Sequence, residues 1–145
     1  MPDVVTFGEA MVRLAPPHFQ RLEQARSLDV EIGGAELNTA AGLARLGRSA
    51  AWVSRVPDGP LGRLVCNRVR EVGVSDAFVQ HAPDGRCGLY FLEFGAAPRA
   101  SSVLYDRANS AAAGITAHTF DWPAILLGAR WFHVSGITAA LGPGP

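Results

Sequence analysis

Two changes of hydrophobic period within the first half of the chain constrain its fold more than anything else in it. Val4-Val5-Thr6-Phe7 is a short apolar, β-prone run that stops at Gly8, as a buried strand of a parallel sheet does. From Leu37 to Leu46 the period shifts. Leu37, Ala40, Ala41, Leu43 and Ala44 share one helical face, and Gly47 stands where the helix would stop. Ala50-Ala51-Trp52-Val53 reads as a second buried strand. Asp58-Gly59-Pro60 opens a second helix, with Asp58 as its cap and Pro60 in its first turn. Leu61, Leu64, Val65, Val69 and Val72 form its apolar stripe, and Gly73 closes it. Strand, helix, strand, helix in this order calls for a layered α/β fold.

The remaining segments read differently. Leu28, Val30 and Ile32 alternate with Asp29 and Glu31, the pattern of a half-exposed strand. Residues 89–94 and Val103-Leu104-Tyr105 flank a Gly/Ala/Pro/Arg turn at 95–99, which predicts an antiparallel hairpin. Residues 108–120 read as irregular, and 122–127 as a short helix with Pro123 in its first turn. Trp131-Phe132-His133-Val134 reads as a third buried strand. A parallel strand is followed by a crossover helix, and 137–145 supply none, so the sequence reads as the first part of something longer. With one sheet edge and one helix face uncovered, the isolated chain is expected to be marginal or oligomeric.

Composition narrows the function. A length of 145 residues, 48% of them apolar and 18% charged, describes one globular domain. Thirteen acidic and thirteen basic side chains cancel, so no overall basic excess exists to hold nucleic acid. Every basic residue is arginine, which removes Schiff-base and P-loop lysines. Cys66 and Cys87 make neither a disulfide framework nor a zinc pattern, and point to a reducing compartment. His18, His81 and His118 have no metal spacing, and the carboxylates form no tight pair suited to glycoside chemistry. The N-terminus lacks a signal-peptide pattern, and no apolar run of about 18 residues spans a membrane. A soluble, cytoplasmic protein is expected.

Gly33-Gly34-Ala35-Glu36-Leu37-Asn38 is the stretch richest in chemistry. Paired glycines at a helix mouth allow close backbone approach, free amides there suit oxygen-rich ligands, and Asn38 carries both a donor and an acceptor. By itself a Gly-Gly is also a plain turn before a helix. Tyr90 and Tyr105 read equally as half-buried sheet aromatics, Arg107 as a surface charge paired to Asp106 or Glu93, and His133 as a hydrogen-bonded core histidine. A dinucleotide-binding domain is disfavoured, because Phe7-Gly8-Glu9-Ala10 stands where Gly-x-Gly-x-x-Gly belongs.

The run from Gly33 to Ala40, followed by Leu43-Ala44-Arg45-Leu46-Gly47, resembles the first signature of the PfkB, or ribokinase-like, carbohydrate kinases, and within them the 2-keto-3-deoxygluconate kinases. Val4 to Glu9, Gly88-Leu89-Tyr90, Tyr105-Asp106-Arg107 and His133 to Thr138 follow in the family's order across nearly the whole chain. Glu36 stands where the general signature prefers a small residue or proline, which resembles the ketodeoxygluconate branch. Pro57 replaces the closing glycine. The second signature, with its Gly-Ala-Gly-Asp run and catalytic aspartate, is absent from these residues.

The resemblance implies an incomplete three-layer αβα core with a small β-sheet lid, its strands at about 10–32 and 86–107, and with the ATP-binding part lying outside 1–145. It implies phosphoryl transfer from ATP, with Mg²⁺, to a sugar hydroxyl, most naturally the 6-hydroxyl of 2-keto-3-deoxygluconate. It implies neither a catalytic nor a metal-binding residue in this chain, and no tight binding of ATP or Mg²⁺ to it. In the implied substrate site Gly34 presents its backbone, Asn38 bonds a hydroxyl, and Tyr90 and Tyr105 line the pocket. Arg107 pairs with the substrate carboxylate, Ile137 touches substrate through its backbone, and Glu9 is a further polar contact. The expected partners are a sugar acid and a second copy through the β-lid. The rival expectation is a non-catalytic sugar-acid-binding or dimerisation module.

Overall fold

The computed structural model describes residues 1–145. Its elements run β1 (Val4–Phe7), β2 (Met11–Ala15), a 3-10 turn (Leu22–Gln24), β3 (Asp29–Gly33), α1 (Ala35–Arg45), β4 (Ala50–Pro57), α2 (Pro60–Glu71), β5 (Ser75–Ala82), β6 (Leu89–Glu93), β7 (Ser102–Asp106), α3 (Trp122–Leu126), β8 (Trp131–His133) and α4 (Gly136–Ala139). They build two sheets. The main sheet has the order β5-β4-β1-β8, all parallel; the smaller has the order β3-β2-β6-β7. In the smaller sheet β2 pairs antiparallel with β3 and parallel with β6, and β6 pairs antiparallel with β7.

Side chains alternate across the main sheet and fill a core on each face. Trp52, fully buried, packs on one side with Leu37 and Ala40 of α1 and Val65 and Val69 of α2. Its neighbour Val53 joins Val5, Phe7, Ala112, Ile115, Phe120 and Ile125 on the other side. There Phe7 meets Phe120 and Trp122 edge to face, with centroids 6.1 and 5.1 Å apart. The irregular 108–120 stretch thus serves with α3 as the third layer.

Several expectations are corrected. Asp58 does not cap α2; Gly59 holds that position at φ 102° with no side-chain hydrogen bond, and Asp58 lies 3.4 Å from His81 instead. Leu61 and Leu64 face solvent, leaving Val65 and Val69 as the buried part of the stripe. β8 is an edge strand and not a buried one: Trp131 is 70% exposed, and His133 is only half-buried. β2 and β5 are further strands that the sequence pattern does not single out. No helix is long and apolar enough to cross a membrane.

Candidate functional site

In the main sheet the chain leaves β1 toward β4 and β5, then returns on the opposite side of β1 as β8. Between β1 and β8 the strand order reverses, and the crevice beyond the carboxyl ends at such a point is where α/β sheets place ligands. Glu9 lies just past β1, and Ile137 lies in α4 just past β8. The smaller sheet stands over this crevice. A cleft of about 280 Å³ results, lined by Glu9, Met11, Gly33, Gly34, Ala35, Asn38, Tyr90, Tyr105, Arg107 and Ile137. All seven residues singled out in the sequence therefore share one cleft, although they come from the smaller sheet, from α1 and α4, and from the segments that adjoin β1, α1 and β7. A second hollow of about 420 Å³ continues past Tyr105, Arg107 and Ile137 toward Asn109 and Leu141.

The tyrosines form one wall. Tyr90 and Tyr105 are directly opposed in the β6–β7 register, and their rings lie 5.9 Å apart with a 33° tilt. Arg107 follows β7. Its guanidinium sits 5.9 Å from the centroid of the Tyr105 ring, and Nη2 donates to Glu9 Oε2 at 2.5 Å. Glu9 is buried, so the pair is largely removed from water. Arg107 Nε and Glu9 Oε1 are buried without a partner. The partners first considered for Arg107 are engaged elsewhere: Asp106 by Arg86 at 2.8 Å, and Glu93 by Arg99 at 2.5 Å and by the Leu22 amide at 2.9 Å.

The glycines act differently from one another. A Cβ on Gly33 would strike the Tyr90 hydroxyl, whereas a Cβ on Gly34 would strike the Glu9 carbonyl oxygen. Gly34 is thus required first by the approach of two backbones, where the entry to α1 crosses the β1–β2 connection. The Asn38 amide donates to the Gly34 carbonyl at 2.8 Å, which places Asn38 on the first turn with an exposed side chain. Ile137 reaches the cleft with both main-chain groups in use: its N–H donates to Ser135 Oγ at 3.2 Å, and its carbonyl accepts from the Ala140 amide at 3.2 Å.

Sequence reasoning missed Met11, which carries no signal beyond being apolar, and the structural part played by Glu36. The Glu36 side chain is buried, and its Oε1 accepts from the Ser135 amide at 2.9 Å, Ser135 Oγ at 2.6 Å and Thr138 Oγ1 at 2.8 Å. Burial works to raise its pKa, but these hydrogen bonds outweigh burial and hold the carboxyl below its ordinary range. A Cβ on Gly8 would collide with this carboxylate. Burial pushes the Cys66 and Cys87 thiols up, which leaves them poor nucleophiles. No group of three or more His, Cys, Asp or Glu side chains could hold a metal ion.

Comparison with known proteins follows the same lines. The chain is 48% identical over 141 residues to a 2-dehydro-3-deoxygalactonokinase of Haloferax volcanii, covering 96% of this chain and 43% of that protein. It is 33% identical over 140 residues to a 2-dehydro-3-deoxygluconokinase of Bacillus subtilis, with the same two coverages. The crystal structure of a 2-dehydro-3-deoxygluconokinase from Thermotoga maritima superposes with a TM-score of 0.94 at 49% identity, over 98% of this chain and 43% of that one. The chain thus spans less than half the length of the relatives it matches, and its architecture is that of the ribokinase-like kinases. Residues 1–141 match the sequence profile of the pfkB family carbohydrate kinases, and the chain belongs to that family.

Proposed function

We propose that this chain is the sugar-binding portion of a kinase that transfers the γ-phosphate of ATP to a sugar hydroxyl, with 2-keto-3-deoxygluconate, converted to its 6-phosphate, as the favoured substrate. The observation that carries the reading is the cleft itself: one guanidinium, an amide-bearing helix start and two facing tyrosines converge at the switch point of the sheet. Its volume lies near the lower end of small-ligand clefts, which run from about 300 Å³, and suits a monosaccharide. The names of the similar proteins point to the same class of substrate.

In this reading Arg107 takes the substrate carboxylate. Glu9 holds it by one nitrogen only, so the guanidinium keeps further N–H donors for a second anion. Asn38 bonds a hydroxyl, while Tyr90 and Tyr105 cover the sugar's C–H face and keep water from it. Phosphoryl transfer also needs a base for the attacking hydroxyl and cationic help at the phosphate. Glu9 is already bound by Arg107, and the Gly-Ala-Gly-Asp run is absent from these residues. Absence of a general base costs about 10²–10⁴-fold, so the 145 residues alone are expected to bind sugar acid without turnover.

Titration calorimetry of the purified chain with 2-keto-3-deoxygluconate, its galacto epimer, gluconate and fructose tests this, run beside a phosphorylation assay with ATP. Binding of the keto acids ahead of fructose, with no phosphorylation, is the expected result. Equal or absent binding across the panel rejects the substrate class, and turnover by the chain rejects the assigned division of labour.

A second reading, a dimerisation module, is favoured by one observation. Val103, Leu104 and Tyr105 on edge strand β7 are 46%, 60% and 58% exposed. In this reading two copies associate through their small sheets, and sedimentation of the chain at increasing concentration decides it.

A further inference from the structure

We propose that Glu36 is a positioning residue of the cleft: from the first turn of α1 its carboxylate holds the Ser135–Thr138 turn, and so sets where Ile137 stands relative to Gly34 and Asn38. The inference rests on the reading of this cleft as a sugar-acid site.

A fully buried carboxylate is costly unless its charge is met by hydrogen bonds. Here three donors converge on one oxygen, and all three come from a segment about one hundred residues away in sequence. The other main-chain hydrogen bonds of the 135–141 stretch are local: Thr138 to Ser135, Ala140 to Gly136 and Ile137, Leu141 to Thr138. The preceding strand β8 is only three residues long, lies at the sheet edge and is substantially exposed. The Glu36 carboxylate is therefore the polar tie between this wall of the cleft and the helix that forms its floor.

The tie reaches the wall through a short relay. The Ile137 amide donates to Ser135 Oγ, and the Ser135 hydroxyl donates to Glu36 Oε1. Charge on the acceptor strengthens the second bond, and a polarised hydroxyl is a better acceptor for the first. Gly8, at the end of β1, leaves the space that the carboxylate occupies. Neither oxygen of Glu36 lines the cleft, so the residue acts through Ser135, Thr138 and Ile137 and not on ligand.

The test compares Glu36→Gln, Glu36→Ala, Ser135→Ala and Thr138→Val with a control, Val69→Ala, which opens a core cavity beneath α2 away from the cleft. Three quantities are read on the full chain: melting temperature, amide exchange at residues 135–138, and calorimetric affinity for 2-keto-3-deoxygluconate. Glu36→Ala is expected to raise exchange at 135–138 and weaken affinity, each by tenfold or more. Glu36→Gln, which keeps an acceptor at Oε1, is expected to restore most of both, to within about threefold of the parent. Val69→Ala is expected to lower the melting temperature with affinity unchanged.

If Glu36→Ala does not fold, Ser135→Ala and Thr138→Val probe the same tie from its other side. The proposal is overturned if those variants leave exchange at 135–138 unchanged, or if affinity merely follows melting temperature across the whole set, control included. If the parent chain binds no sugar acid, the site reading fails and the exchange data alone decide whether Glu36 holds the turn.

Discussion

Arg107 and Glu9, ninety-eight positions apart in the chain, form an ion pair at 2.5 Å in which the carboxylate is almost wholly buried and the guanidinium faces the cleft. The pair joins the end of β1 to the end of β7, and so ties the main sheet to the smaller one. It also leaves the one cation of the cleft partly compensated before any ligand arrives.

Removing one partner of a buried pair strands the other charge, at about 3–5 kcal/mol. Arg107→Ala is therefore expected to lower stability by roughly that amount and to weaken sugar-acid affinity about 10-fold to 150-fold, the value of a hydrogen bond to a charged group. Adding Glu9→Gln to Arg107→Ala should recover most of the stability but none of the affinity. Denaturant melts and calorimetry on the single and double variants separate the two effects, and recovery of affinity in the double variant would contradict the role given to Arg107.

Gly34→Ala tests whether this glycine serves the backbone crossing. The added methyl meets the Glu9 carbonyl and lies 3.0 Å from the Ala10 Cα, atoms that cannot swing aside as a side chain can. A loss of about 1–3 kcal/mol is expected, as for other overpacked sites, and urea unfolding measures it. An unchanged midpoint would show that the crossing has slack.

Tyr105→Ala separates binding from folding. The ring is mostly exposed and contacts Tyr90 and the Arg107 guanidinium, so stability should fall by no more than about 1.5 kcal/mol. Affinity for the keto acid should fall about tenfold, equivalent to about 1.4 kcal/mol. Unchanged affinity in this variant would remove Tyr105 from the substrate wall.

Acid sensitivity should trace to Glu36. Its pKa in the folded chain lies below the ordinary value, so the unfolded chain takes up this proton at higher pH than the folded chain does. The stability it contributes is complete above the ordinary carboxylate range and disappears as pH falls through the depressed folded value. Asp3, held down by hydrogen bonds from Ser49 with Arg130 and Arg48 nearby, and Asp106, held down by Arg86, act in the same direction at the exposed surface. Unfolding free energy measured from pH 7 to pH 3 should decline less steeply in Glu36→Gln than in the parent; equal slopes would place the acid sensitivity elsewhere.

The parts legible in the sequence are those where local pattern and tertiary demand coincide. Val4–Phe7, the helix after Gly34 and the hairpin around 95–99 carry clear periods and clear stops. β5 was missed because Ser75–Ala82 mixes faces, exposing Ser75 and Ala77 while half-burying Phe78 and Val79 together. β8 looked buried because Trp131-Phe132-His133-Val134 is an apolar run, and such a run does not reveal how many neighbours its strand has. At the site, residue types were readable but pairings were not. The Arg107–Glu9 and Glu36–Ser135 contacts join positions that only the crossing of two sheets brings together, and no spacing along the chain encodes them.

The chain passes from one sheet to the other at Gly8–Ala10 and returns at Gly33–Gly34, two crossings packed backbone against backbone beneath the cleft. The seam between the sheets therefore meets the floor that α1 gives the cavity. Because residues on both sides of that seam line the cleft, the angle between the two sheets sets the width of the space above Asn38.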